Sequence, residues 1–225
     1  MIWRHLVKDN FLNEKHFNNL KNIKFDTKPD EWNIHKYRIY KNGEIEIGVQ
    51  NSTSNWPLKS MLKDPRYKTD PNFVKEITEL YYKGVYPLSE KTVWREDLSP
   101  LTKEDIKDIH NTYHNQMWQW LTELAPEKLH LYKYTELRIT NTGKDYIYPL
   151  HTENKINLLS GIVYISPKKN TGTFLYDDIS GTNPQQVEWK PNRFIGFSRN
   201  DSTWHSYEAD GINNRLTLVY NLRAE

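Results

Sequence analysis

Beyond residue 129 the chain is cut into short β-type runs by turn residues, and this pattern limits the fold more than any other feature. The runs 129–140, 148–153, 158–166, 173–176, 186–188, 193–197, 202–205 and 215–222 are separated by Asn141-Thr142-Gly143, Asn170-Thr171-Gly172 and Asp210-Gly211, among others. Many short strands at such spacing read as an antiparallel sandwich or barrel. The first half has a different texture. Phe17 and Leu20 share one side of a short helical pattern. Strands at 37–40 and 44–49 flank Asn42-Gly43, a dipeptide that tolerates the positive φ angles of a tight hairpin. Asp70-Pro71 opens a helix with Phe73, Ile77 and Leu80 at helical spacing. A longer helix starts at Thr102, with Asp105 three residues on, and stops before Pro126. Its Ile106, Ile109, Tyr113, Met117, Trp120 and Leu124 form one apolar face. The expectation is a single mainly-β, α+β domain over 1–225. A helical and hairpin support region at about 1–128 would brace a β core at about 129–225.

Composition narrows the function classes. The chain has 225 residues, and with 8 Trp and 15 Tyr the aromatics carry much of the apolar core. A net charge of +2, with no basic stripe, offers no electrostatic footprint for nucleic acid. No run approaches the roughly 18 apolar residues of a membrane span, and the first residues lack the apolar stretch of a secretory signal. A soluble cytoplasmic protein is expected. Cysteine is absent, so disulfides, thiolate metal sites and cysteine nucleophiles are excluded. Any metal must take nitrogen and oxygen ligands, which suits iron, manganese or zinc.

One constellation meets that requirement. In His151-Thr152-Glu153 the alternation of a strand points the two outer side chains to one face, about 7 Å apart along the backbone. Two imidazoles and a carboxylate form a facial set that leaves positions open on iron(II). His205, just before the last strand, is available as a third ligand. Alone, the short motif reads more readily as a surface strand with a salt-bridged Glu. Arg215 follows His205 by ten residues and opens the run Arg215-Leu216-Thr217-Leu218-Val219-Tyr220. Alternation puts Arg215 and Thr217 on one face and Leu216, Leu218 and Tyr220 on the other. Turned inward, Arg215 is a buried cation needing an anion, and a guanidinium matches a carboxylate in bidentate geometry. Turned outward, it is an ordinary edge-strand Arg.

Taken together, these motifs resemble the Fe(II)/2-oxoglutarate-dependent oxygenases, most closely the prolyl 4-hydroxylase-like branch, over roughly residues 129–223. The resemblance implies a double-stranded β-helix (jelly roll) with His151, Glu153 and His205 as iron ligands. It implies that Arg215 binds the C5 carboxylate of 2-oxoglutarate with Thr217 in support, and that Tyr164, in Gly161-Ile162-Val163-Tyr164-Ile165, bonds the same group. Gly172-Thr173-Phe174 is similar to a turn of the family, and Asp9-Asn10-Phe11-Leu12 to its opening segment. The implied activity is a dioxygenase, a hydroxylase that uses Fe(II), 2-oxoglutarate and O2. It would couple C–H oxidation to decarboxylation of 2-oxoglutarate to succinate and CO2. Most of the branch has Asp where Glu153 stands, so the substrate does not transfer. A peptidyl proline and a small metabolite are both open, and Tyr148, Arg138 and Trp204 are the substrate-contact candidates. Arg193 and Arg199 are further positions for an anionic substrate. A non-oxidative cupin-like isomerase or jelly-roll ligand-binding module is the alternative; it would keep the His cluster with no need for Arg215 and Thr217. Oligomeric state is open.

Other features are read as structural. His110 and His114 are four apart on the long helix but lack the Glu of a helical zinc site, so solvated or capping roles are expected. Trp56-Pro57, Tyr81-Tyr82 and Trp94-Arg95 are expected to pack rather than line a substrate mouth, and Asp177-Asp178 to form a polar turn.

Overall fold

The computed structural model describes residues 3–52, 58–83 and 92–225; Trp56-Pro57 lies outside them. In chain order the elements are strand β1 (Leu6–Lys8), helix α1 (Glu14–Lys21), strands β2 (Trp32–Tyr40) and β3 (Ile45–Ser52), and helices α2 (Leu58–Leu62), α3 (Arg66–Thr69) and α4 (Pro71–Tyr82). Strand β4 (Thr92–Trp94) and the long helix α5 (Lys103–Leu124) follow. The remaining strands are β5 (Tyr134–Thr142), β6 (Ile147–His151), β7 (Asn157–Ser166), β8 (Thr173–Tyr176), β9 (Gln185–Val187), β10 (Phe194–Phe197), β11 (Trp204–Glu208) and β12 (Arg215–Arg223). No helix among the described residues is long and apolar enough to cross a membrane.

The strands form two antiparallel sheets, ordered β1-β10-β7-β12-β5-β2-β3-β4 and β6-β11-β8-β9. The central β10-β7-β12-β5 of the large sheet and the four strands of the small one make the eight-stranded jelly roll. The first half of the chain does more than brace this core from outside. β2 pairs with β5 along its whole length, Trp32 opposite Thr142 and Tyr40 opposite Tyr134, and β1 covers the other edge at β10. Both edges of the jelly-roll sheet would otherwise present unpaired backbone groups.

Local chemistry explains where the helices begin. Asp70 caps α4 through its side chain, with Pro71 in the first turn. Thr102 and Asp105 complete a reciprocal capping box at α5. Gly43, at φ +84°, closes the β2–β3 hairpin. The apolar face of α5 lies on the convex side of the large sheet. There Met117, Trp120 and Leu121 share a core with Tyr37, Leu137, Phe194, Leu216, Leu218, Tyr220 and Leu222. Gly161 is required at that contact, because a Cβ would meet the Phe194 ring at 2.5 Å.

Several boundaries differ from the sequence expectation. Residues 129–131 belong to a 3-10 turn, Pro126–Leu131, started by its proline, and β5 begins only at Tyr134. β6 stops at His151, so Glu153 follows the strand rather than lying in it. His110 and His114 are half-buried rather than solvated, their rings 4.5 Å apart, with His114 packed on Trp118 and Tyr132. Trp94 is exposed beneath the Arg38 guanidinium, while Tyr82 packs edge-on to Trp204.

Candidate metal centre and co-substrate pocket

The concave face of the large sheet and the inner face of the small one enclose a cavity of about 90 Å³. Period-two alternation decides its lining. β12 contributes Arg215, Thr217, Val219 and Asn221; β5 contributes Arg138, Thr140 and Thr142; β7 contributes Ser160 and Ile162. Antiparallel pairing sets His205 of β11 directly opposite His151 of β6, with ring centroids 4.2 Å apart. Glu153 turns back from the loop beyond β6. One ligand atom each from His151, Glu153 and His205 lie within 4.8 Å of one another.

Both imidazoles are oriented by the backbone. His151 Nδ1 lies 2.8 Å from the Pro149 carbonyl and His205 Nδ1 lies 2.9 Å from that of Thr203. A carbonyl only accepts, so each Nδ1 carries the proton and each Nε2 is left with a lone pair for a cation. His205 Nε2 stands 3.4 Å from Glu153 Oε1. Burial, reinforced by His205, holds the His151 pKa below the ordinary imidazole value, so its ring is neutral and ligand-ready. Burial pushes the Glu153 carboxyl up, but the hydrogen bond and charge of His205, with His151 and Arg138, outweigh it and pull the pKa down. The donor set of two imidazoles and one carboxylate fits a divalent transition-metal ion.

The loop carrying Glu153 is pinned at several points. Tyr82 accepts a hydrogen bond from the Thr152 amide, and Arg199 Nε donates to the Glu153 carbonyl at 3.1 Å. Asn157 Nδ2 donates to Glu153 Oε2 at 2.9 Å. Asn157 Oδ1 in turn accepts from Arg223 Nε at 2.8 Å, and Arg223 Nη1 donates to Glu136 Oε2 at 3.1 Å. Glu136 is fully buried and also accepts from Arg138 Nε.

Elsewhere in the cavity Arg215 is 4% exposed, and its Nε and Nη2 are buried with no hydrogen-bond partner among the described residues. Aromatic faces surround it. The Tyr207 ring centroid lies 3.9 Å from its guanidinium carbon, with Trp189 at 5.3 Å and Tyr164 at 5.4 Å. Thr217 shares its face of β12 and lines the same cavity. A buried guanidinium with two unmet donors lacks an anion, and a carboxylate on a small acid supplies both the charge and the acceptors.

Of the substrate-contact candidates, Tyr148 and Arg138 line the cavity, and the Tyr148 ring is 4.3 Å from that of His151. Trp204 does not line it. Adjacent to His205 on β11, it points to the opposite face and packs against Tyr82. Tyr164 contributes its ring beneath Arg215, but its hydroxyl donates to Thr173 Oγ1 at 2.7 Å and accepts from the Thr173 amide at 3.0 Å. Tyr164 therefore holds the turn at Thr173 in place. Arg193 is paired with Asp9 outside the cavity, and Arg199 serves the Glu153 loop and Asp201. Three important residues escaped the sequence reading. Tyr207, two residues past His205, was legible from alternation. Asn157 and Trp189 carried no signal, since loop and turn geometry brings them in.

No family model matches the sequence, and no curated protein does. Among solved structures, the dioxygenase for auxin oxidation in rice is 11% identical, with 97% of this chain and 73% of that one covered at a TM-score of 0.52. A bsmA homolog from Methylobium petroleophilum is 13% identical, with 95% and 83% covered at a TM-score of 0.50. An oxidoreductase of the 2OG-Fe(II) oxygenase family from Burkholderia pseudomallei is 19% identical over 40% of this chain, at a TM-score of 0.33. The chain spans 44% of that protein's length. The two near-full-length likenesses show a shared fold. The chain thus shares its fold with those two proteins, and a His-Glu-His cluster able to hold a metal ion is seated inside its jelly roll.

Proposed function

We propose that this protein is an Fe(II)- and 2-oxoglutarate-dependent dioxygenase that hydroxylates a small molecule. The observation that carries the reading is Arg215, a buried cation with two unmet donors in the same cavity as the His151–Glu153–His205 cluster. A jelly roll that binds metal to isomerise or capture an uncharged ligand has no use for an unpaired guanidinium there.

In this reading His151, Glu153 and His205 hold the iron through Nε2, a carboxylate oxygen and Nε2. Arg215 grips the far carboxylate of 2-oxoglutarate through its Nε and Nη2 donors, and Thr217 adds a hydroxyl. The Tyr207, Trp189 and Tyr164 rings exclude water from that ion pair and strengthen it. Bound iron would activate O2, with 2-oxoglutarate as the electron donor; one oxygen atom would enter the substrate C–H bond and the other succinate, as CO2 is released. Asn157 and the backbone carbonyls of Pro149 and Thr203 keep the three ligand side chains oriented. The cavity walled by both sheets offers a place for a small substrate beside the cluster.

The test is anaerobic addition of Fe(II) and 2-oxoglutarate. The expected result is the weak visible charge-transfer absorption of the chelate, lost in His151→Ala and requiring more 2-oxoglutarate in Arg215→Met. A folded wild-type protein with no such band would refute the assignment.

A further inference from the structure

The cavity holds a second guanidinium that the proposed co-substrate does not use. Arg138 of β5 faces inward beside Val219 of β12, whereas Arg215 lies beside Thr142. Four residues of β5 separate the two rows, about 13 Å at roughly 3.3 Å per residue. The metal cluster comes between their surroundings. Tyr207, two residues past His205, covers Arg215, and Glu153 is a carboxylate whose charge Arg138 feels.

Arg138 belongs to a buried charge network. Glu136, fully buried, is shared by Arg138 and Arg223 and also feels the charge of Lys36. Lys36 is 9% exposed and Arg223 7%. Two guanidiniums thus share one buried carboxylate, where desolvation is expensive. No ion pair within 4.0 Å joins Arg138 to Glu153; Glu153 pairs instead with His205. Arg138 gives its Nε to Glu136, and among the described residues its two terminal nitrogens make no hydrogen bond. Its side chain is 23% exposed, and it lines the cavity. The terminal pair of a guanidinium is the end that binds a carboxylate in bidentate fashion.

2-Oxoglutarate has two carboxylates. In the reading above, on which this inference rests, one goes to Arg215 and the other to the metal, so neither remains for Arg138. We propose that Arg138 binds a carboxylate of the substrate itself, and that the substrate is a small carboxylic acid with an apolar body. Val219, Ile162 and Tyr148 supply the apolar wall next to Arg138. The carboxylate anchored there sets which C–H bond lies over the metal.

The test uses protein loaded with Zn(II) in place of iron and saturated with 2-oxoglutarate. Propionate, propionamide and methyl phosphate are titrated in turn by ligand-observed NMR. Propionate is expected to bind saturably and propionamide about tenfold more weakly or worse, as for loss of a charge-assisted pair. Arg138→Met should reduce propionate to the level of the amide. Its Kd for 2-oxoglutarate should change much less than that of Arg215→Met, which rises about tenfold or more. Arg138→Lys keeps a charge beside Glu136 and removes the fork, and should give intermediate propionate affinity, which separates a binding role from a folding defect. Equal binding of acid and amide, preference for methyl phosphate, absence of saturable propionate binding, or unchanged propionate affinity in Arg138→Met would each overturn the inference. So would 2-oxoglutarate binding that depends on Arg138 and not on Arg215. Failure of the wild type to bind 2-oxoglutarate in a metal-dependent way would instead remove the functional reading beneath it.

Discussion

At the scale of single residues, function and stability pull against each other at Arg215. A guanidinium 4% exposed with unmet Nε and Nη2 is desolvated without compensation until an anion arrives. Arg215→Met should therefore stabilise the ligand-free protein by about 1 kcal/mol or more, seen as a raised Tm in the absence of 2-oxoglutarate. Adding 2-oxoglutarate to metal-loaded protein should raise the wild-type Tm further and that of the variant much less. Asn157 has the opposite signature. It supports the carboxylate of Glu153 from one side and receives Arg223 on the other. Asn157→Leu is expected to weaken Co(II) binding by about 10–100-fold, the usual effect of removing an outer-shell partner. A titration showing unchanged metal affinity with a lowered Tm would make Asn157 merely structural. The inward placement of Arg215 and Thr217 was readable from the sequence because strand alternation is local geometry. The position of Glu153 was readable only in part. It reaches the cluster from a loop pinned by Tyr82, Arg199 and Asn157, all distant or unpatterned in sequence.

Among the elements, α5 was the most legible, since its capping box, apolar face and terminating proline are all local signals. Thr102→Ala removes the cap to the Asp105 amide and the hydroxyl donor to its carboxylate, and leaves the backbone N–H bond to that carboxylate. It should cost about 1 kcal/mol in chemical denaturation, with little change in metal binding. The strand ends were less legible. β11 extends to Glu208, beyond the expected stop at residue 205, because β6 and β8 both pair with it. That extension places Tyr207 over Arg215. The pairing partners of a strand depend on topology, so its length is not contained in its own residues.

For the whole molecule, acid is the informative perturbation. Burial pushes His35 down to about 4, and burial with the charge of His114 does the same to His110. Unfolded, both would titrate near 6.5. Between about 6.5 and 4 the unfolded chain binds protons that the folded chain does not, so stability is complete above that window and falls as pH drops through it. Metal-free protein should lose Tm steadily across this range, and His110→Gln should flatten the loss. Asp9 works in the same direction at lower pH. Its hydrogen bonds from Arg193 and Lys190 hold its pKa below the carboxylate range, so the clasp between β1 and the β10 turn opens only in strong acid.

By itself the sequence determined the β-rich second half, the capped helix against it, and the candidate His, Glu and Arg residues, because turn residues, helix caps and period-two alternation act over a few positions. Only the tertiary structure decided what those residues meet. It set His205 opposite His151, left Arg215 without a protein anion, gave Tyr164 to Thr173, turned Trp204 away, and gathered Lys36, Arg138 and Arg223 around one buried carboxylate. These outcomes depend on which strands pair and in what register. Register is fixed by burial of one face across the whole sheet, a condition that no single segment carries.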